Sequence, residues 1–110
     1  RLERLPDLLG IKKLILGNHD RLPYHKYAEH FTKVHAMRVY DNCLMTHIPV
    51  HPSQSYRYDL NIHGHLHEKV LDDPWYVNVS IEQLNYKPRL LNEVIRDGRK
   101  RLKEKKPTQV

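Results

Sequence analysis

A chain of 110 residues fits one folding unit and is below the size at which a second core is expected. Apolar residues make up 39% and charged residues 29%, the mixture of a globular protein and not of a disordered or fibrous one; no apolar run approaches the ~18 residues of a membrane span. Lys and Arg outnumber Asp and Glu by 19 to 13, a formal charge of +6 that by itself points to an acidic partner such as nucleic acid or a phosphate-bearing ligand.

In chain order, residues 1–9 read as the end of a helix, with Leu2, Leu5, Leu8 and Leu9 at helical spacing and Gly10 as the stop. A short apolar strand follows over 11–16. Pro23 opens a helix predicted to run to Phe31, with Tyr24, Tyr27, Ala28 and Phe31 on one face. Residues 34–40 and 43–47 read as two strands of a hairpin turning at Asp41-Asn42, a pair that tolerates positive φ. Pro49 and Pro52 make 51–57 a loop. Two more strands are predicted over 60–63 and 76–79, separated by the turn signal Asp72-Asp73-Pro74. A last helix over 90–95 can continue past Gly98. The order describes a mixed α/β domain with sheet at its centre.

Residues 96–106 hold seven basic side chains against Asp97 and Glu104, which is +5 of the +6. A basic end of this kind reads first as a solvated helix end or tail, so residues 96–110 are set apart from a domain over 1–95. The stretch lacks interleaved aromatics, which leaves nucleic acid a secondary partner. Cys43 is the only cysteine; it excludes an internal disulfide and fits a reducing, cytoplasmic setting.

Nine histidines are the unusual figure, and several fall where strands end. Gly17-Asn18-His19-Asp20 follows the strand over 11–16, Thr46-His47-Ile48-Pro49 follows 43–47, and His63-Gly64-His65-Leu66-His67 follows the strand beginning at Leu60. Strand ends favour ligand sites, because the sheet holds loop side chains in place and leaves them accessible. In extended chain, residues two apart share a face, so His63, His65 and His67 are expected to project together toward one metal or two neighbouring ones. Asn18 offers an amide oxygen that suits Mg, Mn or Fe. His19 can donate or relay a proton, with Asp20 orienting its ring. A turn in which Asn18 or Asp20 caps a following helix is the alternative for this cluster.

Taken in order, Gly17-Asn18-His19-Asp20, His47 with Pro49, and Gly64-His65-Leu66-His67 resemble the later motifs of the calcineurin-like metallophosphoesterase superfamily. Residues 75–82, Trp-Tyr-Val-Asn-Val-Ser-Ile-Glu, resemble the closing strand of its small phage and bacterial members. The resemblance covers about residues 9–95. It implies a β-sandwich flanked by helices and hydrolysis of a phosphomonoester or phosphodiester by a metal-bridging water or hydroxide. It also implies two divalent cations, Mn first and Fe, Zn or Ni as alternatives, with Asn18, His47 and His65 as ligands of one cation and His67 as a ligand of the other. His19 would contact the phosphate and assist the leaving group, and Asp20 would orient His19. His63 receives no role, His51 a possible approach to substrate, and His25, His30 and His35 a surface or helix-face position.

The family's earlier Asp-x-His and Gly-Asp motifs do not occur before Gly17. The expectation is therefore the later part of such a domain, its first strands lying upstream of an Arg1 that is not an initiating Met. A catalytically inactive metal-binding or regulatory remnant is the competing reading. The phosphate ester and the oligomeric state are not legible, and no membrane partner is expected.

Overall fold

Asp41 and Asn42 both take positive φ, 51° and 57°, the pair of left-handed residues that a two-residue type I′ hairpin needs. They join β3 (Arg38–Tyr40) to β4 (Cys43–Met45) antiparallel, with Tyr40 opposite Cys43. The structure, a computed structural model, describes residues 13–18 and 20–105. The helix predicted over 1–9, the first two residues of the predicted strand 11–16, His19 and residues 106–110 lie outside the described residues.

The chain enters on β1 (Lys13–Ile15), which pairs in parallel with β2 (Lys33–His35) through a connection that contains α1 (Tyr24–Ala28). Helix α1 is shorter than predicted. Only Tyr27 of its predicted apolar face is buried, its hydroxyl oxygen accepting from the Leu22 N–H, while Tyr24 is exposed. The strand predicted over 34–40 is two strands. Val34 pairs with Leu14 and Val39 with Leu44, so the chain changes sheets across the exposed residues Ala36 and Met37.

The second sheet runs β3-β4-β5-β6, with β5 (Leu60–His63) parallel to both β4 and β6 (Tyr76–Asn78). Cys43, Met45, Leu60, Ile62 and Val77 pack on one face against Val94 and Ile95 of α2 (Leu91–Lys105). Leu44, Asn61, His63 and Tyr76 alternate onto the other face and are buried as well, as expected where strands of a parallel sheet are covered on both sides. The predicted loop 51–57 contains a 3₁₀ turn over Pro52–Tyr56; Pro52, with no N–H to lose, sits at its start, and His51 Nδ1 accepts from the Ser53 N–H.

Helix α2 crosses residue 96 without a break and continues to Lys105, so ten residues assigned from sequence to a basic tail belong to a docked helix. Gly98 allows the approach: a Cβ there would stand 2.8 Å from Leu60 Cδ1 and 3.0 Å from Val77 Cγ2. Two of the basic residues are clamps. Arg99 reaches Asp41 Oδ2 at 2.9 Å and Asp59 Oδ2 at 2.8 Å, and Arg101 donates to the Tyr76 carbonyl at 2.8 Å. The two carboxylates hold the Arg99 guanidinium further toward its charged form. The domain is thus mixed α/β, with two sheets and two helices among the described residues, and no helix among them is long and apolar enough to cross a membrane.

Candidate metal centre

Three strand ends meet at one point. The ladder between β4 and β5 continues past its last strand residues, with Thr46 N bonded to Ile62 O at 3.0 Å and Gly64 N to His47 O at 2.9 Å. That continuation sets His47 beside Gly64-His65. Gly17, after β1, lies against the His47 ring; a Cβ at Gly17 would be 3.0 Å from Nδ1, 3.1 Å from Cε1 and 3.2 Å from Cγ. Glycine lets the loop approach so closely without displacing the ring.

At the meeting point, His47 Nε2 is 2.9 Å from Asn18 Oδ1 and 3.3 Å from His65 Nδ1. The two rings are edge to face, with centroids 5.1 Å apart. Donors each roughly 2.1 Å from one cation lie about 3.0 to 3.4 Å apart in octahedral or tetrahedral geometry. Both separations from His47 Nε2 lie close to that range, which ordinary hydrogen bonds share, and two imidazoles and one amide are donors that a divalent cation accepts. No group of three or more His, Cys, Asp and Glu side chains gathers as a cation site among the described residues; the third donor here is the Asn18 amide.

The expectation that His63, His65 and His67 share a face is corrected. Strand β5 stops at His63, and the chain turns: Leu66 N bonds to Gly64 O at 2.8 Å around His65, whose φ is 69°. That is the bond pattern of a γ-turn with positive φ, a rare and strained conformation. His67 also has positive φ, 53°. His65 is thereby aimed at His47, whereas His67 Nδ1 is 2.8 Å from Glu82 Oε2. His63 points into the sheet, 1% exposed, with Nδ1 against the Gly64 carbonyl and its ring edge-on to Tyr76. Burial pushes its imidazole below the usual pKa, opposed by the Gly64 contact.

Asp20 Oδ2 accepts from the Gly17 N–H at 2.7 Å while Asp20 N donates to the Gly17 carbonyl. Its carboxylate closes the 17–20 loop; the capping alternative for this cluster is not what it does, since α1 begins after Pro23 with no side-chain cap. His19 itself lies outside the described residues. His25 is exposed and His30 half-buried, as expected for surface positions; His35, half-buried in β2, has its Nε2 buried. His51 is engaged in capping the 3₁₀ turn.

Sequence reasoning passed over four residues that hold the site. Asn61, wholly buried, donates to Leu44 O and Thr46 Oγ1 and accepts from Val50 N, so it fastens the segment that carries His47. Asn78 donates to the carbonyls of His67 and Lys69, and Gln83 also donates to His67 O. The His67 contact lowers the Glu82 carboxyl pKa. The available signal was asparagine at positions 61 and 78, in strands that otherwise disfavour it.

Comparison of the chain with protein-family models, with curated proteins and with solved structures returns no match.

Proposed function

We propose that this chain forms the asparagine and histidine side of a dinuclear metal centre in a calcineurin-like phosphoesterase that hydrolyses a phosphomonoester or phosphodiester. The observation that carries the reading is the meeting of Asn18 Oδ1, His47 Nε2 and His65 Nδ1 from three strand ends, in the order in which the metallophosphoesterase motifs follow one another. The two sheets would then be part of that family's β-sandwich, with the lone Cys43 thiol suited to the cytoplasm.

Asn18, His47 and His65 would hold one divalent cation and His67 would contribute to a second, Mn first among those that mixed N and O donors accept. Divalent cations at such a site supply Lewis acidity, which activates water and neutralises charge on phosphate oxygens. The chain's own residues act around that chemistry. Gly17 keeps the loop close to His47, Asp20 closes the loop by accepting from the Gly17 N–H, and His19, next in sequence to Asn18, donates a proton to the departing ester oxygen.

A second reading, a metal-binding remnant without turnover, is favoured by one observation: the converging donors are all neutral, with no carboxylate among them. Two measurements separate the readings. Mn binding to this chain, followed by the loss of the free-ion electron paramagnetic signal, is expected and is expected to fail in His47→Ala. Hydrolysis of p-nitrophenyl phosphate and of bis(p-nitrophenyl) phosphate is then measured on the Mn-loaded chain. Chelator-sensitive turnover supports the enzyme, binding without turnover supports the remnant, and absence of binding removes both.

A further inference from the structure

We propose that Glu82 is a positioning residue that locks His67 in the tautomer with its proton on Nδ1, so that the Nε2 lone pair is the one presented to a cation. The inference rests on the metal reading above for the purpose of the lock, but not for its existence. The His67 side chain is 66% exposed, and an imidazole that open to water would ordinarily rotate and favour the opposite tautomer, with its proton on Nε2. Here Nδ1 stands 2.8 Å from Glu82 Oε2. An ionised carboxylate can only accept, so the shared proton belongs to Nδ1, and the neutral ring is left with its lone pair on Nε2.

The backbone beneath the ring is held from the same direction. Asn78 Nδ2 and Gln83 Nε2 each donate to the His67 carbonyl at 3.1 Å, and Asn78 Nδ2 also reaches Lys69 O at 2.9 Å. Asn78 is itself fixed, its Oδ1 accepting from Ser80 N at 2.9 Å. The end of β6 and the turn after it thus grip residue 67 twice, at the carbonyl through two amides and at the ring through one carboxylate. Such a grip keeps a non-glycine residue at positive φ, where it would otherwise relax. Metal-ligating histidines commonly donate their second N–H to a carboxylate, and loss of that partner weakens metal affinity about 10- to 100-fold.

Long-range ¹H–¹⁵N correlation spectra of the metal-free 110-residue chain at alkaline pH test the lock directly, because the two ring nitrogens shift differently when protonated. The expected result is a His67 ring protonated at Nδ1 in the native chain and in Glu82→Asp with partial retention, and a ring shifted toward Nε2 protonation in Glu82→Ala. Titration with Mn alone is expected to give about 10- to 100-fold weaker binding in Glu82→Ala. A native His67 protonated on Nε2, or a tautomer indifferent to Glu82→Ala, overturns the inference. Unchanged Mn affinity in a Glu82→Ala chain whose tautomer has shifted overturns its purpose. If the native chain shows the Nδ1–H tautomer yet binds no Mn, the lock stands and the metal reading falls.

Discussion

Nδ1 of His65 lies 3.3 Å from Nε2 of His47, and the two rings meet at an interplanar angle of 73°. Two ring nitrogens this close cannot both present a proton; the Asn18 amide oxygen, 2.9 Å from the same His47 Nε2, only accepts, so in the metal-free chain that nitrogen donates to Asn18 and His65 Nδ1 faces it with its lone pair. His65→Ala removes one of the three converging donors, and Mn affinity is expected to fall by at least about 10-fold, the lower end of what loss of a mere supporting partner costs. Isothermal titration checks it; affinity equal to that of the native chain would remove His65 from the site.

Gly17→Ala tests the same centre without touching a donor atom. The added Cβ would meet three atoms of the His47 ring at 3.0 to 3.2 Å, so the ring must retreat by a few tenths of an ångström. The expected outcome is weaker Mn binding with a nearly unchanged unfolding midpoint, because the loop is at the edge of the core. A matched loss of stability would show that Gly17 serves the fold instead.

The secondary-structure elements read most securely were those decided by adjacent residues. Asp41-Asn42 specified a turn by its own φ preferences, and Cys43, Leu44 and Met45 in one segment and Leu60 and Ile62 in the other announced short strands. Where the outcome depended on partners distant in sequence, the reading failed. Nothing in 34–40 tells that Val34 pairs with Leu14 while Val39 pairs with Leu44. That the last helix can run past Gly98 was legible, but not that its basic end docks, because the cations of 96–106 read as solvated until Arg99 is seen between Asp41 and Asp59. At the site, motif order named Asn18, His47 and His65, which the fold does gather. It gave no hint that positive φ at His65 and His67 would send neighbouring histidines to different partners.

Asn61→Ala is expected to be the most damaging single truncation among the polar residues. It strips hydrogen-bond partners from Leu44 O, Thr46 Oγ1 and Val50 N around a side chain with no exposure. Leaving a buried group unpaired costs about 1–3 kcal/mol; Thr46 Oγ1 keeps its bond to the Ile48 carbonyl, so Leu44 O and Val50 N carry most of an expected loss of roughly 3 kcal/mol. Urea denaturation measures it; a loss below about 1 kcal/mol would mean that the 46–50 segment finds other partners.

Gly98→Ala sets two effects against each other. Alanine gains about 1 kcal/mol over glycine inside a helix, but its Cβ would sit 2.8 Å from Leu60 Cδ1 and 3.0 Å from Val77 Cγ2 in the packed core. Overpacking of that kind costs typically 1–3 kcal/mol. The clash is expected to win by about 1 kcal/mol, seen as a lower thermal midpoint, and a stabilised variant would show that Leu60 can yield.

Cys43 ties stability to alkaline pH. Its thiol is wholly buried in the sheet face under α2, and burial raises its pKa, opposed in part by the nearby Arg99 guanidinium. In the unfolded chain the thiol ionises near its ordinary value of about 8.5. Above that pH the folded state holds a proton the unfolded state has released, so stability falls as pH rises, with a slope of at most about 1.4 kcal/mol per pH unit, until the folded thiol itself ionises. Below about pH 8 this contribution is flat. Tyr76, also raised by burial, acts in the same sense but only nearer the ordinary tyrosine range of about 10. Urea midpoints are therefore expected to decline between about pH 8.5 and 9.5 in the native chain and to stay level over that window in Cys43→Ala, whatever its absolute stability. An equal decline in both chains would mean that another group carries the alkaline sensitivity.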